Sequence, residues 1–218
     1  MAALLDIRTD YTRAERLSDA VVHVSGLALA VGAVPVLVTL TVMLRGDTPA
    51  VVGTSVYGAA LIAMILCSAL YNMAGHGGRA WLLQRLDHSA IYLKIAGTYT
   101  PFTLLSGQGH WLLAGLWGAA LAGTGLKLAS PDRLRPLAIA LYLGMGWAGL
   151  AAGGPFLSSL SAPVLGLILT GGMLYTIGVV FYLWDRLPFH YTIWHALVLT
   201  ASAVFYAAVT LHMVESVG

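Results

Sequence analysis

Seven long apolar stretches run along this chain of 218 residues, and they constrain its fold more than any other feature. They are continuously apolar where the strands of a membrane barrel would alternate, and most approach the roughly 20 residues that a helix needs to cross a bilayer. Backbone groups in lipid need partners within their own segment, which favours helices. The predicted spans are residues 17–44, 51–73, 87–106, 111–129, 137–153, 162–185 and 191–214.

The composition agrees with this pattern, because 59% of the residues are hydrophobic and only 9% are charged. Such a balance excludes an ordinary soluble domain. We therefore predict an all-α integral membrane protein with a seven-helix bundle over residues 17–214. An interfacial segment, 1–16, precedes the bundle and a short tail, 215–218, follows it. The sequence shows no basic surface interleaved with aromatic residues, so nucleic acid is not an expected partner.

Basic residues indicate the orientation, since cytoplasmic loops carry an excess of Lys and Arg. With the N-terminus inside, nine basic residues lie on the inner side and Arg45 alone lies outside. The nine are Arg8, Arg13, Arg16, Arg79, Arg85, Lys127, Arg133, Arg135 and Arg186. We predict a multi-pass protein of the cytoplasmic (inner) membrane, with its N-terminus in the cytoplasm and its C-terminus outside.

Polar side chains gather at the inner ends of four predicted helices, and within a helix they recur every four residues. Residues four apart share a helical face. The sets are Ser68 with Asn72, Tyr191 with His195, and Glu15 with Asp19 and His23, while Asp87 opens the third span. Polar groups in hydrocarbon are costly and normally have partners or a function. We therefore expect one shared polar site.

Structural roles remain open for several of these residues. Asp87 could serve only as the N-cap of its helix. Ser68 could bond the carbonyl one turn back, and His23 with Asp19 and Glu15 could form an interhelical lock.

Lys94 is the one basic residue inside a span. It follows Asp87 by seven residues, which places it on the same face about 10 Å along the helix. Side chains on a helix lean toward its N-terminus. We therefore expect the ammonium to point back toward Asp87, and the alternative is an ammonium that snorkels toward the loop region without a partner.

Three segments carry a family resemblance: SALYN, LDHSAIYLKIAGTYTPF and IWHALVLTASAVFY. They resemble the signature of the hemolysin III branch of the progestin and adipoQ receptor (PAQR) family. The early Glu15, Asp19 and His23 series is similar to the opening helix of the bacterial members. The resemblance covers most of the chain, although the fourth to sixth spans contribute little to it.

The resemblance implies a zinc ion near the cytoplasmic side, held by a Ser-x-x-x-His and a His-x-x-x-His motif, with a serine and an aspartate beside it. It also implies lipid amide hydrolysis of the ceramidase type among relatives. Ser68, Asp87 and His195 match the family positions, whereas Asn72 and Tyr191 stand where two of the three histidines belong. An amide oxygen or a phenol is a poor replacement for imidazole at zinc. No bound metal is expected, and if one is present we expect His195 and Asp87 to hold it.

Three functions are compatible with these residues. The first is lipid binding or sensing in membrane homeostasis, and the missing histidines favour it. The second is a zinc-dependent lipid hydrolase with Ser68, Asp87 and His195 as catalytic residues, so whether the chain is an enzyme stays open. The third is a proton or small-ion pathway through Asp87, Lys94 and His195. The remaining residues predicted to line the site are Asn72, Tyr191, Lys94, His23, Asp19 and Glu15. Small-residue faces would serve a homodimer or packing within one chain equally well.

Overall fold

A computed structural model describes residues 11–73, 79–129 and 135–217, and every regular element in these ranges is a helix. The helices are α1 (Arg13–Leu44), α2 (Thr48–Met73), α3 (Ala80–Ser106), α4 (His110–Ala129), α5 (Arg135–Ala151), α6 (Gly154–Ser158), α7 (Ala162–Leu183) and α8 (His190–Glu215). A helix therefore forms at each predicted span. The short α6 was not predicted, and it follows Gly153, whose φ of 80° favours glycine.

Five of the helices are long and apolar enough to cross a membrane, namely α1, α2, α4, α7 and α8. The chain is therefore an all-α, multi-pass integral membrane protein, as predicted. The helices α3 and α5 are not among the five. Helix α3 contains many polar side chains, and helix α5 has only 17 residues.

Helix α3 lies in the interior of the bundle, where it contacts α2, α4, α5 and α8. Its buried polar residues include Lys94, Thr98, Thr100 and Thr103. The three threonine hydroxyls donate hydrogen bonds to carbonyls of their own helix, at 2.8 to 3.2 Å. The side chains that make α3 polar thus lie inside the protein.

Helix α1 begins with a capping box at Thr12 and Glu15. The Thr12 hydroxyl accepts from the Glu15 amide at 3.2 Å, and the Glu15 carboxylate accepts from the Thr12 amide at 2.8 Å. Two of the orphan amides at the helix start are satisfied in this way. Of the predicted interfacial segment, residues 13–16 form the first turn of α1 and residues 1–10 lie outside the described ranges.

The reading of Asp87 as an N-cap is wrong, because α3 begins at Ala80 with Arg79 as its N-cap residue. Asp87 therefore lies two turns inside the helix. The third span was predicted to start at Asp87 because the residues from Arg79 to Leu86 mix polar and apolar side chains and give a weak hydropathy signal.

Replacing Gly123 with Ala should destabilise the bundle more than the same change at Gly125. A Cβ at position 123 would lie 2.7 Å from the ring of Tyr92, whereas one at position 125 meets nothing within 4 Å. Tyr92 is fully buried and its ring packs on Tyr142 with centroids 4.3 Å apart, so it cannot move aside. Overpacking costs about 1–3 kcal/mol. Thermal unfolding in detergent should show a lower midpoint for Gly123→Ala, and equal midpoints would contradict this packing.

Candidate functional site

One cavity of about 750 Å³ penetrates the bundle from the end where α1, α3 and α8 begin. It is bounded by side chains from α1, α2, α3, α5, α7 and α8 and by Lys127 of α4. All of the residues predicted for the site line it: Glu15, Asp19, His23, Ser68, Asn72, Asp87, Lys94, Tyr191 and His195. Helical spacing could place these residues on common faces, but it could not reveal the cavity.

Asp19 is the centre of the polar cluster. Its carboxylate accepts a hydrogen bond from Nδ1 of His195 at 2.6 Å. Nδ1 of His23 donates to the main-chain carbonyl of Asp19 at 2.9 Å and lies 3.4 Å from the second carboxylate oxygen. Asp19 and His23 are 9% and 4% exposed, so these contacts form away from bulk solvent. Asp19 therefore joins α1 to α8.

His23 extends this cluster to α2, because its Nε2 lies 3.0 Å from the hydroxyl of Ser68. Since Nδ1 of His23 faces only acceptors, the neutral ring carries its proton there, and its Nε2 can accept from Ser68. Asp87 competes for the same hydroxyl hydrogen of Ser68, lies near His195 and Asp19, and completes the cluster from α3. The interhelical lock predicted as an alternative for His23 and Asp19 is thus present in the structure. The hydroxyl of Ser68 bonds the imidazole of His23.

Asn72 and Tyr191 stand where the family resemblance places two imidazoles. The Asn72 side chain is exposed and donates to the Ser68 carbonyl at 2.9 Å. The Tyr191 ring stacks on His195 with centroids 6.0 Å apart and meets the ring of Tyr182 edge-on. Neither side chain offers a good ligand for zinc, so the family positions do not fit the metal.

Another set of ligand atoms does converge. Asp19, His23 and His195 each offer an atom within 4.8 Å of the others. One carboxylate and two imidazoles can hold a divalent metal. However, three of the four imidazole nitrogens are already hydrogen-bonded, to Asp19 or Ser68. The sequence predicts no bound metal and, for the case that one is present, His195 and Asp87 as its ligands. The sequence signal for this other set is the four-residue step from Asp19 to His23.

Both predictions for Lys94 are wrong, because its ammonium neither turns toward Asp87 nor snorkels toward the loop region without a partner. Its ammonium donates to the Tyr175 hydroxyl at 2.5 Å and lies over the rings of Tyr175 and Phe205, 4.6 and 5.0 Å from their centroids. Tyr175 also shares a 2.8 Å hydrogen bond with Ser202. Sequence reasoning missed Tyr175 and Ser202, which are 81 and 108 residues away from Lys94 and carry no local signal.

Glu15 has a structural role at the margin of the cavity. Besides capping α1, its carboxylate accepts from the Phe189 amide at 3.0 Å. Phe189 has a φ of 59° and precedes α8. Glu15 thereby holds the start of α1 against the start of α8, which keeps Asp19 and His195 within reach of each other.

Replacing Asp19 with Ala should lower the stability of the protein. It removes the acceptor for His195 and leaves a buried donor unpaired, which costs about 1–3 kcal/mol. Glu215→Ala is the control, because that carboxylate is exposed. Thermal unfolding in detergent measures both variants. An equal decrease in the unfolding midpoints of the two variants would show that the hydrogen bond between Asp19 and His195 contributes nothing to stability.

The sequence profile of the family described as "Haemolysin-III related" matches residues 12–206. The chain is similar to "Hemolysin-3 homolog" of Bacillus subtilis (strain 168), with 36% identity over 210 residues that cover 94% of this chain and 97% of that protein. It is 36% identical to "Hemolysin-3" of Bacillus cereus over 93% of each chain. The human "Monocyte to macrophage differentiation factor" is 27% identical over 74% of this chain and 70% of its own length.

Proposed function

Because the chain belongs to the haemolysin III-related family of membrane proteins, within the hemolysin III branch of the PAQR group, we propose that it binds or senses a membrane lipid. Family membership confirms the resemblance predicted from the sequence motifs. The polar cluster around Asp19 receives the lipid head group, and no zinc is held at the family positions. The protein acts in this way in the homeostasis of the cytoplasmic membrane.

In this proposal α3 and α5 cross the membrane with the other five long helices, and the N-terminus is cytoplasmic. The contacts of His23 with Ser68 and His195 support a common end for the start of α1, the end of α2 and the start of α8. At the opposite end, Arg45 after α1 bonds the carbonyl of Ser216 after α8. The seven-helix bundle then spans residues 17–214, followed by the tail 215–218.

The observation that carries the proposal is the cavity with the polar cluster at one end. Its volume of about 750 Å³ lies within the range of small-molecule sites, about 300–1,000 Å³. Deeper in the cavity a few polar side chains, such as Lys94, lie among apolar walls that include Ile91, Val198, Leu199 and Phe205. Polar groups set among apolar walls match an amphiphile, whose polar groups need hydrogen bonds and whose chain needs none. His195 offers one such bond, since its Nε2 has no partner among the described residues.

Filling the cavity should displace the lipid. Gly146 lines it, and a Cβ at this position meets nothing within 4 Å, so Gly146→Phe places a ring in the cavity. Gly166 is equally open but does not line the cavity, which makes Gly166→Phe the matched control. Mass spectrometry of lipid that co-purifies should show at least about tenfold less with Gly146→Phe, since tenfold is only about 1.4 kcal/mol. Equal lipid in the two variants would contradict the proposal.

One contact favours a second candidate, hydrolysis of a lipid. The His23 ring lies between Asp19 and Ser68, in the order in which an orienting acid, a base and a nucleophile occur in hydrolases. Ser68 also faces the cavity, where a lipid carbonyl could approach it. An attack of Ser68 Oγ on the lipid carbonyl carbon would move the Ser68 proton to Nε2 of His23, with Asp19 beside the other ring nitrogen. His23 would then give that proton to the leaving amine or alcohol as the amide or ester bond breaks, and water would release the acyl group from Ser68.

Metal content and turnover separate the two candidates. For the lipid-binding protein we expect fewer than about 0.1 zinc per chain, because one imidazole at the family positions cannot fill a site that needs three protein ligands. We also expect no turnover of amide- or ester-linked lipids by wild type. Turnover abolished by Ser68→Ala and retained by Ser55→Ala, a serine outside the cavity lining, would favour hydrolysis. Near one zinc per chain, lost in Asp19→Ala, would favour the metal-dependent form.

A further inference from the structure

We propose that Lys94, Tyr175 and Ser202 form a second polar subsite in the same cavity, which binds the negatively charged group of an amphiphilic ligand. The inference rests on the proposed function, lipid binding, and names the chemical class of the ligand. The subsite brings together side chains of α3, α7 and α8, and all three line the cavity.

The first step is the charge of Lys94. Its side chain is 4% exposed. None of the ion pairs among the described residues involves it. A buried cation without an anion carries a large desolvation cost. The rings of Tyr175 and Phe205 offset part of that cost through cation–π attraction. An anionic group in the cavity would supply the missing countercharge.

The second step is a count of hydrogen-bond donors. An ammonium has three N–H groups, and one of them donates to Tyr175. The other two have no acceptor among the described residues. The Tyr175 phenol accepts from Lys94 and can donate its own hydrogen to Ser202, 2.8 Å away, which leaves the Ser202 hydroxyl hydrogen available to a ligand. Up to three donors thus remain for a ligand and no acceptor competes, which suits a carboxylate or a phosphate.

The third step is the position of the subsite along the cavity. Lys94 follows Asp87 by seven residues on α3, and Ser202 follows His195 by seven on α8, so both lie about 10 Å deeper than the Asp19 cluster. Next to them a smaller pocket of about 160 Å³ shares Trp147 and Phe205 with the cavity and is lined mainly by apolar side chains. An acidic group at Lys94 would place its chain in this pocket.

The test compares ligands that share a twelve-carbon chain. Full-length protein is freed of lipid in a nonionic, sterol-based detergent and titrated with laurate, dodecyl phosphate, dodecanol and dodecyltrimethylammonium by calorimetry. Wild type should bind laurate or dodecyl phosphate about 30-fold more tightly than dodecanol, because a buried charge pair that loses a partner loses at least about that much affinity. The trimethylammonium compound should bind most weakly.

Variants then assign the preference to Lys94. Lys94→Met should reduce the preference for the acid over the alcohol to within about threefold. Lys94→Arg should retain most of the preference, because arginine keeps the positive charge of lysine although its geometry differs. Arg186→Met is the control for loss of one positive charge, since Arg186 is exposed and outside the cavity lining, and it should keep the wild-type preference. The wild-type comparison of acid with alcohol stands even if Lys94→Met does not fold.

Each outcome has a distinct meaning. Equal affinity of wild type for laurate and dodecanol would overturn the anion subsite and leave lipid binding intact. Failure of every amphiphile to bind would overturn the proposed function itself. Displacement of laurate by millimolar acetate or inorganic phosphate would assign the subsite to a free anion. It would overturn the proposal that the ligand is an amphiphile. A preference for the acid that survives in Lys94→Met would overturn the role of Lys94.

Discussion

The arrangement of this bundle depends on one constraint: a polar side chain in an apolar helix must find its partner within the protein, because lipid provides none. Asp19 is the clearest case. It lies on α1, and it reaches His195 on α8, while its neighbour His23 reaches Ser68 on α2. Three helices separated widely in sequence are thereby joined at one end by a few short contacts. The apolar faces alone would allow many rotations of these helices, and the cluster selects one.

The same constraint explains why α3 lies inside the bundle. Its Lys94 and its threonines would be unfavourable against lipid, and the neighbours α2, α4, α5 and α8 cover them. Hydropathy alone therefore underestimates α3, since hydropathy treats every side chain as if it faced lipid. Small residues where α3 meets its neighbours permit this central position. Gly97 of α3 lies so close to α2 that an added Cβ would be 2.7 Å from the Cβ of Ala60.

Local pattern predicted much of this structure and failed where contacts are distant. The apolar runs predicted a helix at each span, and the four-residue steps correctly grouped Asp19 with His23. Side-chain lean on a helix predicted that Lys94 would turn to Asp87, and this was wrong, because its ammonium bonds the Tyr175 hydroxyl and lies over the rings of Tyr175 and Phe205. Those partners belong to α7 and α8. No spacing within α3 can indicate which aromatic side chains of other helices will meet it.

The two altered family positions and the buried lysine have related physical consequences. In the proposed function, Asn72 and Tyr191 stand where the family resemblance places imidazoles, so the polar end of the cavity has fewer ligands for a dication. Lys94 places one positive charge deeper in the same cavity, beside hydroxyl groups rather than carboxylates. In the proposed anion subsite this side chain would attract an anion without a metal, at a depth set by its position on α3. A charged pair at that depth would be screened less by water than one at the membrane surface, and it would discriminate more strongly between an acid and an alcohol.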